Sequence, residues 1–320
     1  MKLKLYLNTG LNVYENIAIE KTLFDNCDND SVIIYLWANE NTVVIGKNQN
    51  IYSEVNLNAL LEDNGAPSRR FTGGGAVYHD FHNLNFTFIA PNKIYNESLQ
   101  AEIILSAVKM FGVKAEKNGR NDLTTEGRKF SGNAFLHTLS KGMHHGTLLI
   151  NTDTNKMMKY LNVDKEKLSA KGVKSVQSRV VNLSEIANIN RENMSEAILL
   201  SAEKAYGLKS ELITKSDVNK DVVDGYIKFL SSKEWLYNKV VDFDKKVKAR
   251  FSWGGAEVAY KCSDGIIKNA VVYTDSIDCE AYCDINELFI GKSIEQLRNS
   301  LVKNPEIADI LQMVIEDMEI

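Results

Sequence analysis

Three consecutive glycines, Gly73-Gly74-Gly75, restrict the fold of this chain more than any other feature of its sequence. Because they carry no Cβ, their backbone can adopt positive φ and approach another group closely, which predicts a loop between two strands. Backbone N–H groups exposed in such a loop bind anions such as a phosphate or an adenylate. Arg69 and Arg70 precede the loop, and arginine offers a planar set of donors for a phosphate or a carboxylate. A flexible hairpin loop without a ligand is the alternative.

The order of hydrophobic patterns predicts an α+β protein. In the first half we expect strands at 2–8, 76–79, 83–90, 129–137 and 145–150, a hairpin of 31–38 with 42–45, and helices after Asn12, at 57–61 and at 96–111. Helices at 157–161, 195–206 and 218–229 follow, then a strand pair (250–253, 256–262), a strand at 266–274 and two terminal helices. This order favours a mixed sheet packed against helices over residues 1–245, a boundary at 245–249, and a small α+β domain over 250–320. The charged segment 242–248 is typical of a solvated hinge.

Composition and charge exclude several classes of protein. The chain is 44% hydrophobic and 25% charged with a net charge of −4, which excludes disorder and gives no electrostatic reason to expect nucleic acid. Its apolar runs are far shorter than the roughly 20 residues that cross a bilayer, and its N-terminus lacks the apolar region of a signal peptide. We therefore expect a cytoplasmic protein that does not bind membranes. Cys279 and Cys283 lack a second ligand pair or a nearby histidine, so a metal site there is improbable.

Two further clusters carry chemistry. Asp122 follows Asn121 and could hold Mg²⁺ beside a phosphate, while Lys129 stands in a glycine-flanked segment that ends at Gly132. The adjacent pair His144-His145 is unlikely to chelate one metal, because neighbouring residues on a strand face opposite ways. One of the two histidines is expected to line a pocket or to make a hydrogen bond in the core.

These segments together resemble the lipoate–protein ligase A family. The resemblance rests on ordered motifs that span nearly the whole chain, RRFTGGGAVYHD (69–80), NDL (121–123), GRKFSG (127–132), HHGTLL (144–149) and KGVKSVQSRVVNL (171–183). It implies a biotin/lipoyl ligase-like catalytic domain with an accessory domain. It also implies a reaction in two steps, in which lipoate and ATP give lipoyl-AMP and the lipoyl group then passes to a lysine of a lipoyl domain. The implied partners are E2 subunits of 2-oxoacid dehydrogenases, the glycine-cleavage H protein, or both, and we expect a monomer.

The resemblance also implies roles for individual residues. Lys129 corresponds to the family's essential lysine and Asp122 to its Mg²⁺ ligand, and segment 171–183 corresponds to the loop that orders over the adenylate. The implied ATP and adenylate contacts are Arg70, Gly74, Gly75, Ala76, Val77, Tyr78, Asn83, Asn121, Asp122 and Lys129. The implied lipoate contacts are Trp37, Arg70, Thr72, His79, Lys129, Ser131, Gly132, His145 and Gly146.

The chain departs from the family pattern at His82, where relatives usually carry glycine, and at Leu136, where several carry a polar residue. Two other readings stay open. An ATP-independent octanoyl or lipoyl transferase of the same fold would in some cases need a pocket cysteine, and Cys27 is the only cysteine before residue 262. A non-catalytic binding protein would be expected to lack Lys129 or Asp122, and both are present.

Overall fold

The computed structural model describes residues 1–162, 179–237 and 243–319. The helices are Val13–Asp25 (α1), Ile51–Glu54 (α2), Leu57–Glu62 (α3), Glu97–Lys109 (α4), Thr154–Tyr160 (α5), Arg191–Tyr206 (α6), Lys220–Leu230 (α7), Lys233–Tyr237 (α8), Ile294–Arg298 (α9) and Pro305–Met318 (α10). The strands are Lys2–Leu7 (β1), Ser31–Trp37 (β2), Thr42–Ile45 (β3), Ala66–Arg69 (β4), Val77–His79 (β5), Leu84–Pro91 (β6), Glu116–Asn118 (β7), Asp122–Thr125 (β8), Arg128–His137 (β9), Lys141–Leu148 (β10), Ser210–Leu212 (β11), Lys245–Arg250 (β12), Gly255–Ser263 (β13) and Ile266–Thr274 (β14). Short 3₁₀ helices lie at Leu183–Glu185, Lys215–Asp217, Glu280–Tyr282 and Ile285–Leu288.

An eight-stranded mixed sheet forms the centre of the protein, in the order β11-β1-β2-β6-β10-β9-β8-β7. Strand β1 pairs in parallel with β11 and β2, and the remaining neighbours are antiparallel. Helices α4 and α6 bury their apolar side chains against one face, and α1 and α7 cover the other. Both faces of the central strands are therefore buried, which explains why β2 is an almost continuous apolar run. In β6 the buried polar residues Asn85 and Thr87 interrupt the run and make side-chain hydrogen bonds. The predicted α+β class with a mixed sheet is confirmed.

Local sequence signals set the ends of several helices. The Asn12 side chain accepts hydrogen bonds from the N–H groups of residues 14 and 15 and so begins α1. The Asn96 side chain caps α4 in the same way. Gly112 follows α4 at a φ of +78°, a conformation that glycine adopts without strain.

The hairpin expected from 31–38 and 42–45 is wrong. Strand β2 belongs to the central sheet, between β1 and β6, whereas β3 belongs to a second, three-stranded sheet in the order β4-β3-β5. In that small sheet β3 pairs in parallel with β4 and antiparallel with β5. The turn-like residues between β2 and β3 thus carry the chain from one sheet to the next. The loop from β4 to β5 contains the three glycines, so the small sheet positions them.

The C-terminal segment forms its own antiparallel sheet, β12-β13-β14, packed against α9, α10 and the short helices between them. Strand β12 begins at Lys245, five residues before the predicted start of the second domain. The solvated hinge expected at 242–248 is therefore wrong for 245–248, because these residues pair with β13; residue 242 lies outside the described residues. In the described ranges, no helix is long and apolar enough to cross a bilayer.

Candidate active site

The glycine loop is held open by the side chain of Arg70. Its guanidinium donates hydrogen bonds to the carbonyls of Gly73 (2.5 Å) and Gly75 (2.9 Å), to the carbonyl of Val44 (3.3 Å) and to Thr72 Oγ1 (3.0 Å). Burial lowers the pKa of Arg70 to about 10, which still leaves the group charged at neutral pH. The positive charge therefore lies directly under the loop, where it turns the loop carbonyls inward. Gly74 adopts a φ of +86°, so this turn needs a residue without a Cβ.

Arg69, which precedes it, is a structural residue that faces the other way. Its buried guanidinium donates to five backbone carbonyls, three in the loop after β3 and two in α8. It therefore joins the small sheet to helix α8. The two arginines before the glycines therefore differ in role: Arg69 joins two parts of the fold, and Arg70 contributes to the pocket.

Lys129 projects from the start of β9 to the centre of the site. Its Nζ lies 2.6 Å from one carboxylate oxygen of Asp122, and Arg179 reaches the other oxygen at 3.3 Å. A Cβ added at Gly132 would lie only 2.7 Å from Nζ, so the amine lies directly over that glycine. Gly132 is paired with Thr147 on β10, and the amine is therefore on the face of the sheet to which Thr147 projects.

A directional chain of hydrogen bonds crosses the floor of the pocket. The oxygen of Thr72, which accepts from Arg70, is 2.8 Å from His145 Nε2, and His145 Nδ1 is 2.8 Å from Glu20 Oε1. The same Glu20 oxygen accepts from Thr87, whose hydroxyl oxygen accepts from the indole N–H of Trp37 at 3.1 Å. Because a carboxylate oxygen accepts, His145 donates from Nδ1 to Glu20, and its Nε2 shares the second hydrogen bond with the Thr72 hydroxyl. The chain fixes the orientation of both pocket-lining rings.

His79 faces the same space from β5. Its Nε2 lies 2.8 Å from Thr147 Oγ1, whose proton is donated to Asn85, and its Nδ1 accepts from the amide of Asn39 at 3.0 Å. Burial lowers the pKa of His79 to about 3, so the imidazole is neutral. The ring meets Trp37 edge to face at 6.3 Å. Both ring nitrogens are therefore engaged, and the neutral imidazole can shape an apolar tunnel with its ring but has no free N–H for a ligand oxygen.

The structure thus brings together most of the residues predicted for the lipoate pocket. The residues that these contacts bring together over one face of the central sheet are Trp37, Arg70, Thr72, His79, Lys129, Gly132 and His145. Ser131 has a buried hydroxyl without a hydrogen-bond partner among the described residues. Gly146 differs, because its missing side chain faces the core, where Phe86 Cζ would be 2.5 Å from an added Cβ. It could contact a ligand only through its backbone.

The predicted nucleotide contacts are arranged around the glycine loop and the β7–β8 turn. The Gly74–Tyr78 backbone borders the loop, but the Tyr78 ring turns into the core and its hydroxyl donates to Asn41. Asn83 is buried and donates to the Tyr78 carbonyl at 3.1 Å. Asn121 is paired with Asn133 at the base of the turn that carries Asp122.

Asp122 can supply one carboxylate ligand to a magnesium ion, but the described side chains around it do not form a complete metal site. In the part of the chain that the structure describes, no three His, Cys, Asp or Glu side chains come together as a metal site. Both Asp122 oxygens already face cations. Mg²⁺ in phosphate-handling sites commonly takes one or two carboxylates and completes its shell with substrate phosphates. Asp122 can therefore supply one ligand in the presence of a phosphate-bearing substrate.

The residues that depart from the family pattern lie at the margin of the site. His82 is exposed in the β5–β6 turn, where its backbone N–H donates to Asp80 and its ring meets Phe81 at 5.5 Å. Leu136 is buried in the apolar cluster that includes Trp37 and Met143. Of segment 171–183, residues 171–178 lie outside the described residues. The described part runs beside Lys129, whose carbonyl accepts from the N–H of Val181 at 2.9 Å.

The C-terminal unit lies against the glycine loop. The carbonyl of Ser276 accepts a hydrogen bond from the Gly74 N–H at 2.8 Å, and the N–H of Thr274 donates to the carbonyl of Asn48 at 2.9 Å. At Gly73 an added Cβ would come within 2.3 Å of the Ser276 oxygen. A cleft of about 350 Å³ remains beside this contact, lined by Arg120, Phe135, His137, residues 277–280 and others.

Sequence reasoning missed Glu20, Thr87 and Asn39 as parts of the site. Glu20 had a detectable signal, since it is an acidic residue on the apolar stripe of α1, three residues from Ile17 and four from Phe24. A carboxylate at such a position is buried and needs a partner. Thr87 and Asn39 carry no comparable signal, because a single polar residue in a strand or turn is common.

Comparisons with known proteins agree with this arrangement. The family described as lipoyl protein ligase A/B catalytic domain matches residues 12–203, and the bacterial lipoate protein ligase C-terminus matches residues 241–318. A protein named lipoate-protein ligase A from Bdellovibrio bacteriovorus is 39% identical over 91% of this chain and 88% of its own length.

Solved structures of lipoate ligases are also similar to this chain in fold. P. falciparum LipL1 in complex with lipoate is 31% identical, has a TM-score of 0.85, and is matched over 98% of this chain and 99% of its own. A structure from the analysis of an archaeal lipoylation system, a bipartite lipoate protein ligase and its E2 lipoyl domain from Thermoplasma acidophilum, is 23% identical with a TM-score of 0.65, over 75% of this chain and 100% of its own.

Proposed function

Since the chain belongs to the lipoate–protein ligase A family, we infer that it is an ATP-dependent lipoate–protein ligase. The enzyme activates lipoate with ATP and joins the lipoyl group to a lysine of a lipoyl domain. In the first step a lipoate carboxylate oxygen attacks the α-phosphorus of ATP, and pyrophosphate leaves. In the second step the acceptor amine attacks the acyl carbon of lipoyl-AMP, AMP leaves with the bonding pair, and the amine loses a proton to form the amide.

Lys129 is proposed as the catalytic residue of both steps. The observation that carries this assignment is the position of its amine, 2.6 Å from Asp122 and directly over Gly132, on the sheet face that holds His79 and His145. Negative charge grows on the phosphate oxygens in the first step and on the acyl oxygen in the second. One cation held between these oxygens stabilises both transition states without reorganisation. Asp122 and Arg179 hold the amine until the substrates arrive.

The remaining site residues are proposed to divide between nucleotide and lipoate. The Arg70-supported loop borders the adenylate with its backbone beyond Gly74, whose own N–H donates to Ser276, and Asn83 and Asn121 support the surrounding turns. Trp37, His79 and His145 line the lipoyl side, where Thr72 and Glu20 fix the orientation of His145. Mg²⁺, with Asp122 as its one protein ligand, would neutralise the ATP phosphates.

The cysteines do not favour the ATP-independent thioester route. Cys27 is buried and its thiol donates to the carbonyl of Ser31, and burial raises its pKa to about 11. Burial also raises the pKa of Cys279 to about 12. A thiol needs the opposite shift to act as a nucleophile at neutral pH.

We propose two units, a catalytic one that ends before residue 243 and an accessory one that begins with β12 at Lys245. We propose that the protein acts as a monomer, and the need for ATP fits a cytoplasmic location. E2 lipoyl domains and the glycine-cleavage H protein are the proposed acceptors, because each presents a lysine at a hairpin tip.

A panel assay tests the proposal. The protein is incubated with lipoate, ATP and Mg²⁺ and with each apo acceptor in turn, and the acceptor mass is measured. A lipoyl adduct that requires ATP, and that is absent when the acceptor lysine is replaced by arginine, is the expected result. An adduct formed equally without ATP would indicate the transferase instead.

A further inference from the structure

A second polar cluster lies on the sheet face opposite the pocket, below the turn that carries Asp122. His144 is its centre and is 1% exposed. Its Nε2 lies 2.9 Å from Asn133 Oδ1, and its Nδ1 lies 3.2 Å from the side-chain amide of Gln100 on α4. His144 alternates with His145 along β10, so the two adjacent histidines serve opposite faces of the sheet.

The direction of the hydrogen bond between His144 and Asn133 is fixed by the neighbours. Asn133 Nδ2 donates to the carbonyl of Asn121 at 2.9 Å, so Asn133 Oδ1 must be the atom that faces His144. An amide oxygen only accepts, and His144 Nε2 therefore carries the proton. Burial lowers the pKa of His144 to about 3, so the ring is neutral and its Nδ1 is an acceptor.

The acceptor at Nδ1 determines the orientation of Gln100. With its oxygen toward Nδ1, two acceptors would meet, and the buried Gln100 Nε2 and Tyr206 hydroxyl would both lack partners among the described residues. Rotating the Gln100 amide by 180° removes the contact between two acceptors and gives both unpaired groups a partner. Nε2 then donates to the imidazole, and the amide oxygen faces the Tyr206 hydroxyl. Burial raises the pKa of Tyr206, and the Gln100 side chain beside it lowers that pKa, so the two side chains are neighbours. Buried polar groups are rarely left unpaired, which favours this orientation.

Asn133 in turn fixes the β7–β8 turn. Its backbone N–H and its side-chain amide both donate to the Asn121 carbonyl at 2.9 Å, and the Asn121 amide donates back to the Asn133 carbonyl at 2.9 Å. Asp122 follows directly and contacts Lys129 at 2.6 Å. Four residues thus connect helix α4 to the catalytic amine.

We infer that His144 is a positioning residue of the ligase: its Nε2–H orients Asn133, and through the Asn121–Asp122 turn it sets the position of the Lys129 amine. The inference rests on the proposed catalytic role of Lys129. His144 itself touches no substrate, because it faces the side of the sheet covered by α4. The competing role is packing alone, since the ring also lies among Phe86, Phe88 and Phe135 at 4.7 to 6.0 Å.

Two amide substitutions separate these roles. His144→Gln is long enough to place an amide N–H where Nε2–H lies, whereas His144→Asn reaches only the Nδ1 position. His144→Phe keeps the aromatic packing and removes both hydrogen bonds. We expect the Phe and Asn variants to lower kcat for lipoate-dependent pyrophosphate exchange about 10- to 100-fold, with little change in KM for lipoate. His144→Gln should retain kcat within a few-fold.

Thermal unfolding of each variant, and Lys129→Ala measured in parallel, complete the design. If the Asn and Gln variants have equal kcat per folded molecule while Lys129→Ala is inactive, the role of His144 is refuted. The catalytic role of Lys129 would then stand. An active Lys129→Ala would instead refute the catalytic assignment. If a variant fails to fold, the inference can still be tested on the native enzyme. ¹⁵N NMR at pH 7 should show a proton on Nε2 of His144. A proton on Nδ1 alone would refute the inference.

Discussion

Gly132→Ala should separate the position of the catalytic amine from the stability of the fold. The new Cβ would lie 2.7 Å from Lys129 Nζ and 3.0 Å from its Cε, and apart from the chain neighbours of Gly132 no other atom of the described residues is within 4 Å. Ordinary contact begins near 3.4 Å, so the amine must retreat by about 0.7 Å. The atoms that must move end a flexible side chain, and the fold should therefore tolerate the substitution.

The expected loss of rate follows from that displacement. A misplacement of about 1 Å at a reacting group can lower the rate about 100-fold, or about 2.7 kcal/mol in transition-state free energy. The free energy of unfolding should change by less than about 1 kcal/mol. Lipoate-dependent pyrophosphate exchange and urea denaturation measure the two quantities on the same preparation.

Gly225→Ala is the matched control, because its added methyl meets no atom within 4 Å in helix α7. It should raise stability by up to about 1 kcal/mol through helix propensity and leave the exchange rate unchanged. The reasoning would be refuted by a Gly132→Ala enzyme that is as fast as the native one. A large loss of stability in that variant would mean that the methyl is accommodated by the sheet and not by Lys129.

Three further predictions follow from the site. Lys129→Ala should slow both adenylation and transfer from preformed lipoyl-AMP by at least about 10²- to 10³-fold, and native-rate transfer in a single-turnover assay would contradict the second role. Arg70→Lys keeps the charge but cannot reach the four acceptors of the guanidinium, so it should weaken ATP binding in calorimetry and lower stability by about 1–3 kcal/mol. His79 and His144, with pKa values lowered to about 3 by burial, stay neutral in the fold but bind protons when unfolded below pH 6.5; stability is thus complete above pH 6.5 and falls by about 1.4 kcal/mol per histidine per pH unit below it. Urea titrations from pH 7 to 5 should show this slope, reduced in His79→Gln, and a flat profile would contradict the buried neutral state.

The sequence predicted the fold class and the main helices because the signals for these features are local. Asn12 and Asn96 start helices through neighbouring backbone groups, and the structure has those starts, whereas the helix expected to reach Gly112 ends at Lys109. The hairpin of β2 and β3 failed for the opposite reason. Both strands read correctly as strands, but their partners are distant in sequence, and no pattern within 31–45 distinguishes one sheet from two.

The candidate site shows the same division. Lys129, Asp122 and Arg70 could be found as residues because glycines and charges surround them in the sequence. The geometry of these residues could not be predicted from the sequence, because the contact of Asp122 with Lys129 depends on the register of β8 with β9. The start of β12 at Lys245 was missed because three lysines and an arginine in its six residues suggest a solvated linker, although charged residues are common on the edge strand of a sheet.

Part of the contact between the C-terminal unit and the region of the glycine loop leaves no trace in side-chain chemistry, although side-chain contacts such as the ion pair of Lys47 with Glu280 lie beside it. That part is made by main-chain groups, the Gly74 N–H with the Ser276 carbonyl and the Thr274 N–H with the Asn48 carbonyl. Any residue supplies the carbonyls at 48 and 276, and any residue except proline supplies the N–H at 274, so these positions can vary without breaking the hydrogen bonds. The glycines are constrained instead, because a methyl at Gly73 would collide with the Ser276 oxygen at 2.3 Å and Gly74 adopts a φ of +86°. Methods that infer contacts from correlated substitutions should therefore detect this interface through its side-chain pairs, such as Lys47 with Glu280, and overlook these main-chain hydrogen bonds.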